Sequence, residues 1–226
     1  MKYEAVIFDV DGTLLDTAEG VLASVSYAIE KCGLLPLSEE QMLTFIGPPI
    51  QKSLANYYEL EPSEIQKIAD VFRAHYSEVD LLKARPYDGI YHVFDVLKEH
   101  KIKLAIATYK REDYALRLLK HFGFDRYTSV IYGADNANKL KKKDIIQKCM
   151  DDLQIQDVAK IVMVGDSDND AIGAQELGIQ FIGVTYGFDF KTCEDVRKFP
   201  SIGCASQTED IIGMMVGGDK SENQGF

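Results

Sequence analysis

The chain has 226 residues, 46% of them hydrophobic, and a formal net charge of -11. That length holds one large domain or one domain with an inserted lobe, and that hydrophobic share argues against global disorder. The charge argues against a general binder of nucleic-acid polymers or membrane surfaces, and a phosphate ligand would need a divalent cation and local lysines to offset the acidic field.

Ala5-Val6-Ile7-Phe8 is continuously apolar and predicts a strand, about Glu4 to Phe8, buried on both faces. Asp9 and Asp11 follow where that strand should end, and Gly12 permits a sharp exit from the sheet. Ligands of open parallel sheets collect at the carboxyl ends of strands. Two nearby carboxylates suit a metal, a nucleophile with an acid/base partner, or both. One carboxylate can attack phosphorus to form an acyl phosphate. The other can protonate the leaving alcohol and then deprotonate the attacking water. The competing reading is a plain Asp-Gly-Thr turn whose Asp caps backbone amides.

Four helices follow. The first spans Thr17 to Cys32, with Val21, Leu22, Val25, Ala28 and Ile29 on one side and Gly33 as its stop. Ser38-Glu39-Glu40-Gln41 is a capping box that opens the second, and Phe45-Ile46-Gly47-Pro48-Pro49-Ile50 breaks it. The third runs through Leu54, Tyr57 and Tyr58, and the fourth opens at Pro62-Ser63-Glu64. No strand pattern occurs between Thr17 and Ala84, so this stretch is an all-helical insertion between the first strand and the rest of a sheet domain.

After Arg85-Pro86-Tyr87-Asp88-Gly89, helices and strands alternate, which predicts an α/β fold with a parallel sheet. The expected pairs are helix Ile90–Glu99 with strand Lys103–Ala107, helix Glu112–His121 with strand Ser129–Tyr132, helix Lys143–Leu153 with strand Lys160–Val164, and helix Asp170–Leu177 with strand Gln180–Val184. A weaker helix, a short strand near Ile202 to Ala205 and helix Glu209–Val216 finish the fold. Residues 217–226 are polar and glycine-rich and read as a disordered tail.

The four cysteines form no Cys-x-x-Cys pair, and Cys32 and Cys149 fall in apolar helical patterns as buried thiols. The histidines lack zinc-ligand spacing. No secretory leader or membrane span is visible. The expectation is a reduced, cytoplasmic protein.

Three later segments carry chemistry. Thr108 ends the strand Leu104-Ala105-Ile106-Ala107, where its hydroxyl, beside the amide of Tyr109, can donate to a phosphoryl oxygen. Lys139, Lys141, Lys142 and Lys143 cluster between a strand and a helix. Lys142 continues the inward face of Ile145, Ile146 and Cys149, with Lys143 as second choice. An inward lysine there needs an anion to meet. Gly165-Asp166-Ser167-Asp168-Asn169-Asp170 puts acids after another buried strand, without the spacing of an EF-hand loop but suited to magnesium at a sheet edge.

Asp9-Val10-Asp11-Gly12-Thr13-Leu14-Leu15-Asp16, then Thr108, then a lysine, then Gly165-Asp166 with Asp170, resemble in their order the four motifs of the haloacid dehalogenase-like hydrolases. Phe45 to Ile50 and His121-Phe122-Gly123-Phe124 look most like the phosphoglycolate phosphatase and 5'-nucleotidase-like branch. The resemblance implies a Rossmann-like parallel-sheet core, residues 1–16 and 85–216, with an inserted helical cap, residues 17–84. It implies a phosphatase of small phosphorylated metabolites that uses Mg2+. Asp9 would be the nucleophile and Asp11 the acid/base, with its backbone carbonyl also reaching the metal. Thr108 would hold the phosphoryl group and Lys142 neutralise charge. Asp9, Asp11, Asp166 and Asp170 form the metal set, and substrate contacts are expected from Gly12, Thr13, Tyr109 and Gly47. Tyr109-Lys110-Arg111 and Ser167 depart from the branch's common residues, and neither departure is expected to touch the catalytic groups. A sugar phosphomutase would use the same residues, and a phosphoacceptor signalling domain is a further alternative. Repeated turnover separates a phosphatase from the latter. Oligomeric state is not legible in the sequence.

Overall fold

The computed structural model of the chain describes residues 2–135 and 139–217. It forms two compact units, one of the residues up to Leu15 and from Pro86 onward, the other of Asp16–Arg85.

In chain order the elements begin with β1 (Ala5–Phe8), the short β2 (Leu15–Asp16), and the helices α1 (Ala18–Lys31), α2 (Glu39–Leu43), α3 (Ile50–Tyr57) and α4 (Pro62–His75). Helices α1 to α4 make up the second unit, with a π-helical turn at Tyr76–Asp80. Ser38 starts α2 as a capping box, its Oγ taking the Gln41 amide while Gln41 Oε1 takes the Ser38 amide. The π-helical turn is held by Asp80, which is 1% exposed. Its carboxylate accepts the Ser24 hydroxyl at 2.7 Å and lies 2.9 Å from Lys83 Nζ and 3.2 Å from His75 Nε2.

The two-residue strand β3 (Arg85–Pro86) pairs with β2, and from Pro86 the first unit continues with α5 (Ile90–Glu99), β4 (Lys103–Arg111), α6 (Glu112–His121), β5 (Ile131–Ala134), α7 (Lys142–Leu153), β6 (Ile161–Gly165), α8 (Asp168–Leu177), β7 (Gln180–Val184), α9 (Cys193–Val196), β8 (Gly203–Ala205) and α10 (Asp210–Val216). Six strands form one parallel sheet in the order β5-β4-β1-β6-β7-β8. The chain winds outward from β1 to β5, then returns to β6 on the other side of β1. Strand order therefore reverses between β1 and β6, the place where open α/β sheets bind ligands.

Register sets what meets there. Phe8 is level with Ile106 on β4 and with Val164 on β6. The next residue, Asp9, thus stands level with the end of β6, its amide donating to Val164 O at 3.0 Å, while β4 runs on beside it. Side chains alternate along a strand. Phe8 stacks on Phe94 of α5, ring centroids 4.8 Å apart. Ala5 and Ile7 pack on the opposite face with Ile145, Ile146 and Cys149 of α7 and Ala171 and Ala174 of α8. Alternation puts Asp9 on that second face, under the first turn of α7.

Several expectations need correction. Strand β4 continues through Thr108 to Arg111, because pairing with β5 resumes at Arg111–Ala134 after a register shift. β5 itself spans Ile131–Ala134 rather than Ser129–Tyr132, since Thr128 caps the entry by donating to Leu104 O and accepting the Val130 amide. α8 starts at Asp168, two residues earlier than expected, because Ser167 serves as its cap. Cys32 is exposed: α1 stops at Lys31, and Cys32 no longer follows its buried stripe. The thiols are not all reduced, since Cys193 and Cys204 are joined in a disulfide. The expected tail lies, beyond Gly217, outside the described residues. Among the described residues no helix is long and apolar enough to cross a membrane.

Candidate active site

Asp9, Asp166 and Asp170 are all buried, and each offers one carboxylate oxygen within 4.8 Å of the other two. Lys142 reaches into this group from the first residue of α7. Its Nζ lies 2.6 Å from Asp9 Oδ1 and 2.6 Å from Asp170 Oδ1, and the residue is 3% exposed. The other cluster lysines go elsewhere. Lys143 pairs with Glu176 at 3.1 Å, and the backbone amides of Lys139 and Lys141 bond Asp135 and Asp144.

Each acid is held by a local device. Asp170 sits in the first turn of α8, where its Oδ2 accepts the Ser167 hydroxyl at 2.6 Å and amide at 3.2 Å. This is a capping box, and it turns Oδ1 toward Lys142. Asp166 follows β6, and its Oδ2 accepts the backbone amides of Phe188 at 2.6 Å and Asp189 at 3.3 Å. Gly12 leaves the room: with φ at 78°, any Cβ there would collide with the Asp166 carboxylate.

The electrostatics follow from burying like charges together. Burial above all pushes Asp9 up to about 7; Lys142 opposes this, and Asp170 and Asp11 add to it. Burial, then the charges of Asp9 and Asp170, pushes Asp166 well above the usual carboxylate range. For Lys142, burial pulls downward, but the combined attraction of Asp170 and Asp9 wins and holds the ammonium above its ordinary value. Three buried carboxylates against one ammonium leave an excess of negative charge. The donors are all hard anionic oxygens, the set that magnesium takes. The residues present therefore fit a bound Mg2+.

Asp11 stands outside that three-oxygen group. Its Oδ1 lies 3.0 Å from Lys110 Nζ, and both side chains are largely buried. Thr108 is 1% exposed, and its hydroxyl accepts the Lys110 amide at 3.1 Å. Thr13 is fully buried, and its Oγ1 has no hydrogen-bond partner. The Tyr109 hydroxyl accepts the Lys142 amide at 2.8 Å. Gly47 belongs to the helical unit, between α2 and α3.

Both departures from the branch's common residues touch the centre, contrary to expectation. Tyr109 accepts the Lys142 amide, and Ser167 holds Asp170; Lys110, between Tyr109 and Arg111, meets Asp11 as well. The signals were present: Ser167 and Asp170 have capping-box spacing, and Lys110 lies two residues after Thr108, hence on the same side of an extended strand. The amides of Phe188 and Asp189 are backbone donors from a loop and carry no sequence signal.

The sequence profile of the haloacid dehalogenase-like hydrolase family matches residues 6–184. The chain is 30% identical over 189 residues to the 5'-nucleotidase of Pseudomonas aeruginosa, covering 83% of this chain and 85% of that one. It is 32% identical over 193 residues to the phosphoglycolate phosphatase of Agrobacterium fabrum, covering 80% of each. The crystal structure of a predicted phosphatase from Clostridium acetobutylicum superposes with a TM-score of 0.84 at 30% identity, over 93% of this chain and 97% of that one.

Proposed function

The chain belongs to the haloacid dehalogenase-like hydrolases, and on that premise we propose that this phosphatase hydrolyses small phosphorylated metabolites through an aspartyl phosphate on Asp9, with magnesium as cofactor. The observation that carries the reading is Asp9 at the carboxyl end of the central strand, with the Lys142 ammonium 2.6 Å away and the carboxylates of Asp166 and Asp170 beside it.

Asp9 forms the bond to phosphorus while the bond from phosphorus to the ester oxygen breaks. Asp11 gives its proton to the departing alkoxide. The same carboxylate then takes a proton from water, the water oxygen attacks phosphorus, and Asp9 is released with inorganic phosphate. Lys142 neutralises the anions that would otherwise repel, the carboxylate and the phosphoryl oxygens. Lys110, beside Asp11, holds the acid/base in place between its two duties. Asp9, Asp166 and Asp170 would hold magnesium, which supplies positive charge against the phosphoryl oxygens.

The names of the relatives favour phosphoglycolate or a nucleoside monophosphate as substrate. The helical unit Asp16–Arg85 is proposed to act as a cap that selects among substrates. The test is phosphate release from phosphoglycolate, nucleoside monophosphates, sugar phosphates and an aryl phosphate, with and without magnesium. Multiple turnovers that stop on chelation and in Asp9→Asn are expected. Retention of a single phosphate per chain, or full activity after exhaustive chelation, refutes the reading.

A further inference from the structure

Lys142 is the first residue of α7, and a helix leaves its first amides without internal partners. Asp144 Oδ2 takes the amide of Lys141, the residue before the helix, at 2.8 Å. The amide of Lys142 is met from outside α7. Tyr109, on β4 and 33 positions earlier, accepts it on its hydroxyl at 2.8 Å. The same ring flanks the other end of the residue, its centroid 5.8 Å from Lys142 Nζ. On α8, Gly173 leaves space for the stem: a Cβ there would lie 2.9 Å from Ile146 Cδ1 and 3.3 Å from Lys142 Cγ. The lysine is thus fixed where its side chain begins and confined along its length.

We infer that Tyr109 is the positioning residue of Lys142: its hydroxyl pins the backbone from which the ammonium reaches Asp9 and Asp170, and it serves the lysine rather than the substrate. The inference rests on the proposed function for its kinetic consequence. Lys142 faces the proposed nucleophile, whereas Lys110 faces Asp11, the group proposed to protonate the leaving alkoxide. Loosening Lys142 therefore slows every substrate by one common factor.

Tyr109→Phe keeps the ring and removes the acceptor. At saturating magnesium, kcat falls about 3- to 10-fold, the worth of one net hydrogen bond. The factor is the same for an aryl phosphate, phosphoglycolate and a nucleoside monophosphate, and KM stays within about twofold. Hydrogen exchange of the Lys142 amide quickens while the other helices keep their protection. In a Lys142→Ala background, Tyr109→Phe brings no further loss. An unchanged kcat, a factor that differs about tenfold between substrates, or a full independent loss in the double variant overturns the inference. If the wild-type chain releases no phosphate from any substrate, the proposed function fails. Exchange of the Lys142 amide then decides the inference alone, and an unchanged rate in Tyr109→Phe overturns it.

Discussion

Replacing Lys142 by alanine separates activity from stability, and the two losses can be worked from the geometry. Two ion pairs at 2.6 Å disappear. At an effective dielectric constant of about 20, each represents roughly 6 kcal/mol of gross attraction, most of it offset by desolvation of the charges. Removing one partner of a buried pair costs about 3–5 kcal/mol when the other stays charged. Here the acids have an escape. Burial already lifts Asp9 to about 7 with the lysine in place, so without it the ion-free protein takes up a proton at neutral pH. Stability thus falls by less than that range. Activity has no such escape, since a protonated Asp9 is no nucleophile and the phosphoryl charge loses its nearest cation. The loss expected is about 100- to 1,000-fold in kcat/KM. Lys143→Ala, which removes only a surface pair with Glu176, changes activity little. Steady-state kinetics on an aryl phosphate at saturating magnesium, beside thermal unfolding of both variants, measures each quantity. A Lys142→Ala protein within about threefold of wild type refutes the role given to this lysine.

Asp11→Asn slows alkyl phosphates more than aryl phosphates, because poor leaving groups need the proton most; equal losses on both count against the acid role. Asp166→Ala shifts the magnesium titration to higher concentration or abolishes turnover, and an unchanged titration rejects this carboxylate as a ligand. Substitutions between Phe45 and Ile50 reorder substrates while sparing turnover of a small aryl phosphate; a ranking insensitive to all of them defeats the specificity role of the helical unit. Asp80 titrates below the ordinary carboxylate value: burial raises it, but hydrogen bonds from Lys83 and Ser24 and the charge of Lys83 outweigh that. Its contribution is therefore complete above pH of about 4 and lost as pH falls through the folded value. Asp80→Asn lowers stability at neutral pH by about 1.5–3 kcal/mol and flattens the acid limb of the Tm profile; an acid limb identical to wild type refutes this assignment.

Local pattern determined much of this protein. The apolar run before Asp9, the helical stripes of α5, α6 and α7 and the capping box at Ser38 are each readable because a strand repeats every 2 residues and a helix every 3.6. The same periodicity puts Lys142 on the inward face of α7, which needs no knowledge of what lies opposite. Tertiary structure decided what lies opposite. Strand order and register bring Asp9, Asp166 and Asp170 together from positions up to 161 apart in the chain. The continuation of β4 past its apolar run depends on pairing with β5 after a register shift, and that continuation carries Lys110 to Asp11. The grip on Asp166 comes from loop amides, which every residue but proline possesses, so no side chain announces it. Likewise Tyr109 meets Lys142, and Cys193 meets Cys204, only because the chain folds back on itself. Periodicity tells a residue which way to face, and only the packing of whole elements tells it what it will meet.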